Sequence, residues 1–159
     1  LTVARGYVRG VSAETDGYVV GGAPSGGNVI EKHSFATDGN ATDVGDLTNP
    51  RAYGQSNTSP VAGYYSGGNM PASTGGSTNI ESFPFSSETS ASLTGTLSVA
   101  KYRGTGHQTS TDGFITGGMY PNTTRFDTTD KYPFASDVDT VSTPGALTVA
   151  RNDASGMNY

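Results

Sequence analysis

Apolar residues in this chain come in short runs, each closed by glycine and separated from the next by long polar stretches. Asp16-Gly17-Tyr18-Val19-Val20-Gly21-Gly22, Ala62-Gly63-Tyr64-Tyr65-Ser66-Gly67-Gly68 and Asp112-Gly113-Phe114-Ile115-Thr116-Gly117-Gly118 share one order: a turn signal, an aromatic or β-branched run, two glycines. That order predicts one short strand between two turns. No window sustains an apolar period of 3.6 residues, and Leu is scarce, so helices are not expected. The pattern predicts an all-β chain.

The repeat can be measured from independent anchors. A Leu followed by Thr or Ser recurs at Leu1, Leu47, Leu97 and Leu147, with a basic residue four positions later each time: Arg5, Arg51, Lys101, Arg151. An aromatic anchor recurs at Phe35, Phe85 and Phe134. These spacings divide the chain into units at 1–46, 47–96 and 97–146, followed by the first strand of a further unit at 147–159. The difference in length falls between the double glycine and the Phe anchor, which marks segments 23–28, 69–79 and 119–125 as exposed loops. Four strand candidates fit each unit. The first are at about 6–14, 52–61 and 102–110, the second are the double-glycine runs, and the third lead into the Phe anchor. The fourth, at 41–47, 91–97 and 139–147, carry the weakest pattern. Repeats of about 46–50 residues with four antiparallel strands each are the signature of β-propeller blades. Three blades do not close a ring of the usual four to eight, so either more blades lie in a longer chain or several copies close it together. The solitary strand at 151–159 favours the longer chain, because a strand cut from its blade leaves unpaired edges. The absent initiator Met also points to a processed chain or an excerpt.

Composition by itself points elsewhere. Gly, Pro and Ser make 49 of the 159 residues and only 33% are hydrophobic, a level that without a period marks a disordered chain. The periodicity and the mild net charge of -5 turn that reading around, making the small residues turns and tight strand packing. No apolar run is long enough to span a bilayer as a helix, and membrane insertion is not expected. Cysteine is absent, which excludes disulfides, thiolate metal sites and a cysteine nucleophile.

The order of basic residue, Asp-Gly, apolar run, Gly-Gly, variable loop, apolar-acidic strand, aromatic and Leu resembles the kelch repeat over essentially the whole chain. The Trp expected in the fourth kelch strand is missing, since the chain has no Trp. More narrowly, Glu31-Lys32-His33-Ser34-Phe35-Ala36-Thr37-Asp38 and Asp130-Lys131-Tyr132-Pro133-Phe134-Ala135-Ser136-Asp137 are similar to kelch-like repeats of marine tailed phages, cyanophages especially. The resemblance implies a virion component at the particle surface, a phage-tail or host-recognition part, and leaves its task open.

Candidate chemistry is sparse. His33 aligns with Phe83 and Tyr132, and His107 with Val11 and Asn57, so each occupies a strand position and no triad or His metal cluster is expected. The missing Cys also excludes the cross-linked radical site of copper oxidases built on such propellers. The acidic residues Asp38, Asp43, Asp46, Asp127, Asp130, Asp137 and Asp139 lack calcium-loop spacing and read as solvated turns. No catalytic residue, metal or cofactor is assigned. In a propeller, Arg5, Arg51, Lys101 and Arg151 would form an arc near the channel mouth, flanked by Tyr7, Tyr53, Tyr102 and Asn152. Such an arc, with Tyr53 and Tyr102, would suit an acidic sugar or a carboxylate peptide. The structural reading, that each base caps backbone carbonyls and holds adjacent blades together, weighs more, because Lys101 lacks a planar donor fork. The sequence pI near 4.7 excludes nucleic acid as the expected partner. Asn40-Ala41-Thr42, Asn57-Thr58-Ser59 and Asn122-Thr123-Thr124 match the glycosylation pattern, as chance allows in a chain so rich in Ser and Thr. The sequence thus predicts a non-catalytic interaction module that contacts a host-surface glycan or protein, or neighbouring virion proteins, and that forms a homo-oligomer if chains share one ring. A carbohydrate-active propeller using carboxylates and a cellular kelch adaptor for protein-protein interaction are the alternatives.

Overall fold

A computed structural model describes residues 1–25, 27–70, 75–121, 123–135 and 141–156. Among them, twelve strands form three four-stranded antiparallel sheets, each a simple meander. The first holds β1 (Arg9–Ser12), β2 (Asp16–Val20), β3 (Val29–Ser34) and β4 (Thr42–Asp46). The second holds β5 (Gln55–Thr58), β6 (Ala62–Ser66), β7 (Asn79–Pro84) and β8 (Ser92–Thr96). The third holds β9 (Thr105–Gln108), β10 (Asp112–Thr116), β11 (Thr128–Pro133) and β12 (Ser142–Ala146). Residues 151–156 form no strand, and residues 157–159 lie outside the described residues. Also outside are Asp137, Asp139, Asn122 and the stretch 71–74 of the second variable loop.

The sheets touch through their first strands, β1 against β5 and β5 against β9, while the fourth strands form the far edges. That arrangement is consistent with propeller-like blades. Period-2 alternation sends the neighbouring Tyr64 and Tyr65 to opposite faces of the second sheet, one into each core. Val11, Tyr18, Val20, Ile30 and Leu47 from the first unit and its linker meet Tyr65, Phe83 and Ala91 of the second. Tyr64, Ile80 and Leu97 meet Ile115 and Tyr132 of the third in the same way. The fourth strands were faint in sequence because they bury little: β12 is exposed along its whole length.

The Asp-Gly signals act differently from a turn. The turns come earlier, as two-residue hairpin loops closed by Ala13 N to Asp16 O, Ser59 N to Ala62 O and Thr109 N to Asp112 O, each at 2.9 Å. Gly17, Gly63 and Gly113 lie inside the strands, where a ring from the third strand lies flat on the backbone. A Cβ on Gly113 would stand 2.6 Å from the ring of Tyr132, and one on Gly17 would strike His33. His33, Phe83 and Tyr132 are paired to these three glycines in register, so the aligned His occupies an aromatic position.

Candidate binding face

The double glycines take up the one backbone conformation their role requires. Gly21, Gly67 and Gly117 have φ of 69°, 61° and 68°, in the left-handed region. The chain thereby turns so that the second glycine donates to the carbonyl of the next unit's basic anchor. Gly22 N reaches Arg51 O at 2.8 Å, Gly68 N reaches Lys101 O at 2.9 Å and Gly118 N reaches Arg151 O at 2.9 Å. The backbone of each anchor is thus held by the unit before it.

The side chain of each anchor is held by its own unit. Arg5 pairs with Glu31 at 2.8 Å, Arg51 with Glu81 at 2.6 Å and Lys101 with Asp130 at 2.7 Å, and all six side chains are fully buried. Arg51 Nη1 also donates to Gly67 O and Ser77 Oγ, both at 3.1 Å. The linker threonine joins the same acid: Thr48 N and Oγ1 donate to Glu81 at 2.9 and 2.6 Å, and Thr2 donates to Glu31 from both its N and its Oγ1. The third and fourth strands slip register at Glu31, Glu81 and Asp130, where the fourth strand carries one extra residue. Burial pulls the Arg51 guanidinium below its ordinary range, against the opposing pull of Glu81. At Glu31 burial is outweighed: it raises the carboxyl, yet the Thr2 hydrogen bonds and Arg5 leave it below the usual carboxylate range.

The predicted site residues therefore separate. Arg5, Arg51 and Lys101 are neutralised inside the sheets, whereas Arg151 is exposed and donates from Nε to Val149 O at 3.3 Å. Tyr102 is buried and Tyr53 is partly exposed. The next position along each unit forms the accessible feature. Tyr7, Tyr53, Arg103 and Asp153 occupy equivalent places and all have φ between 54° and 59°. Side chains other than glycine pay about 1–2 kcal/mol for that conformation. It is held by a ladder running across the units: Tyr53 N to Tyr7 O at 3.3 Å, Arg103 N to Tyr53 O at 2.8 Å and Asp153 N to Arg103 O at 2.8 Å.

The rings on this ladder form a continuous face. Tyr7 is 56% exposed and stacks on Tyr53 with centroids 4.1 Å apart, and the Arg103 guanidinium sits 4.6 Å from the Tyr53 centroid on the same ring. Beside it opens a cavity of about 330 Å³ lined by Tyr53, Asn69, Tyr102, Arg103 and Met119. Tyrosine is a strand former, so nothing in the residue types at Tyr7 and Tyr53 signals their left-handed backbone. Among the described residues, no three His, Cys, Asp or Glu side chains gather to hold a metal. No described helix is long and apolar enough to cross a membrane. The chain matches no protein-family model and no curated protein.

Proposed function

We propose that this chain is a segment of a kelch-like β-propeller that serves as a non-catalytic binding module on a phage particle and grips a host-surface glycan at the tyrosine ladder. The carrying observation is the run of equivalent left-handed positions that presents Tyr7, Tyr53 and Arg103 together beside a polar-rimmed cavity. Strained backbone kept at equivalent places in successive units is a mark of function. The exposed Tyr7 ring, with a planar cation on the neighbouring Tyr53, suits the C–H faces and hydroxyl or carboxylate groups of a sugar. The buried ion pairs of the basic anchors support the same assignment, because they give those charges a structural task and leave the rings as the accessible chemistry. The phage setting rests on the resemblance of the third-strand segments. A glycan array read together with product analysis tests the proposal. Binding without turnover is expected; an array with no bound glycan, or new reducing ends in the products, would overturn it.

A further inference from the structure

The cavity beside the ladder lies between the second and third units, which supply its whole lining: Tyr53 and Asn69 from one, Tyr102, Arg103 and Met119 from the other. Two variable loops meet beside it. Tyr120 of the third unit's loop stands edge to face with Tyr102, centroids 6.4 Å apart, and its ring lies over Gly76 of the second unit's loop. A Cβ on Gly76 would stand 3.1 Å from that ring, so the close approach of the two loops depends on the glycine.

Arg103 differs from the basic anchors in what its guanidinium holds. Arg51 donates to Glu81, Gly67 O and Ser77 Oγ, all within its own unit. The Arg103 guanidinium is fixed instead by the face of Tyr53, 4.6 Å from the ring centroid. Among the described residues its Nε is buried without a partner, and the carboxylate paired with it, that of Asp153, stands 3.7 Å from Nη1, beyond hydrogen-bond length. That carboxylate is engaged elsewhere. Asn152 Nδ2 donates to Asp153 Oδ2 at 2.6 Å, and Asn152 Oδ1 accepts from Arg125 Nε at 2.8 Å. A stacked guanidinium with unfilled donors is a planar fork oriented in advance for an oxyanion. The distribution of charge favours the same ligand. In a chain of net charge -5, Arg9, Arg103 and Arg125 stand at the ladder end of the sheets, while Glu14, Asp16 and Asp112 stand at the hairpin end. An anion is steered toward the ladder.

We infer that the glycan gripped at this face is acidic, and that an oxyanion on one of its sugar rings, a carboxylate or an ester sulfate, accepts two hydrogen bonds from the Arg103 guanidinium; this rests on the reading of the face as a glycan site. Tyr53 holds the plane of the guanidinium, and the Asn69 amide faces the hydroxyls of the same sugar. Arg103 thereby sets specificity, because a neutral sugar leaves its donors unfilled.

A glycan array in which each acidic member stands beside its neutralised counterpart tests this: uronates and sialosides beside their carboxyl-reduced forms, sulfated glycans beside their desulfated forms. Titration calorimetry on the bound members should show affinity falling at least tenfold on neutralisation, and the two arms tell carboxylate from sulfate. Arg103→Lys keeps the charge and loses the planar fork, so it should weaken the acidic glycan about tenfold and leave its neutralised counterpart unchanged. Asp153→Asn removes the loosely paired carboxylate and should tighten the acidic glycan about threefold. Both variants should keep the urea midpoint of the parent. Equal binding of acidic and neutralised glycans, undiminished affinity in Arg103→Lys, or no gain in Asp153→Asn would overturn the acidic-sugar inference and leave the glycan site standing. An array with no bound glycan would overturn both.

Discussion

Arg51→Met is the perturbation that probes the clamp between linker and sheet. Arg51 is fully buried, donates to Glu81 at 2.6 Å, to Gly67 O and Ser77 Oγ at 3.1 Å, and lies 5.3 Å from the Tyr65 ring centroid. Its removal leaves the Glu81 carboxylate buried with Thr48 as its main remaining donor, and orphans the Gly67 carbonyl. Breaking one side of a buried pair costs about 3–5 kcal/mol, because the remaining charge has lost its counterion. For a chain of 159 residues, at about 2–4 °C per kcal/mol, that lowers the melting temperature by ~6–20 °C. The double variant Arg51→Met with Glu81→Leu removes both charges, and apolar replacement of a whole buried pair is often neutral. It should therefore lie within ~2 kcal/mol of the parent, giving a large coupling energy in a double-mutant cycle. Urea unfolding followed by circular dichroism and tyrosine fluorescence reads all four species, since the chain has no Trp. A cost for Arg51→Met below about 1 kcal/mol, or strictly additive single effects, would refute the clamp.

Three further outcomes follow from the same packing. Gly67→Ala sets a Cβ against the Lys101 carbonyl oxygen at φ 61°, and should cost ~2 kcal/mol or more in urea unfolding, whereas Gly145→Ala, with open space around it, should be near neutral. Tyr132→Phe removes the buried 2.8 Å hydrogen bond to Asn57 Oδ1 and should cost ~1–2 kcal/mol in the same assay, with binding of any array glycan unchanged. Burial lowers the His107 pKa below the ordinary histidine value, so the unfolded chain takes up a proton first as pH falls through about 6.5. Stability is therefore full above that pH and declines as pH falls toward the depressed folded value. His107→Asn, the residue found at the equivalent Asn57, should flatten that decline in melting curves taken between pH 7 and 5.

Much of this architecture was legible because the repeat made each strand visible three times over. The run Asp16–Val20 is short and glycine-closed, and a single copy would have been ambiguous between strand and loop. The alignment of His33 with Phe83 and Tyr132 followed from counting back from the Phe anchor, and the register places all three rings over the same glycine position. The pairing of base with acid was not read, although its signal was present. Glu31, Glu81 and Asp130 recur once per unit, as Arg5, Arg51 and Lys101 do, and two periodic charges of opposite sign in one unit are natural partners. They are 26, 30 and 29 residues apart, beyond any local rule, and only the meander of each sheet brings the acid back beside its base. The left-handed tyrosines were not legible for a different reason. Their conformation comes from the ladder between units, a tertiary constraint that overrides the strand preference of Tyr.

The most direct test of the binding face is a titration of the strongest array glycan into the parent chain and into the variant carrying Tyr7→Ala and Arg103→Ala. Tyr7 is exposed and Arg103 is partly exposed, so the variant should keep its urea midpoint. An affinity lowered at least tenfold at unchanged stability is the predicted result. Undiminished affinity in that variant would contradict the assignment.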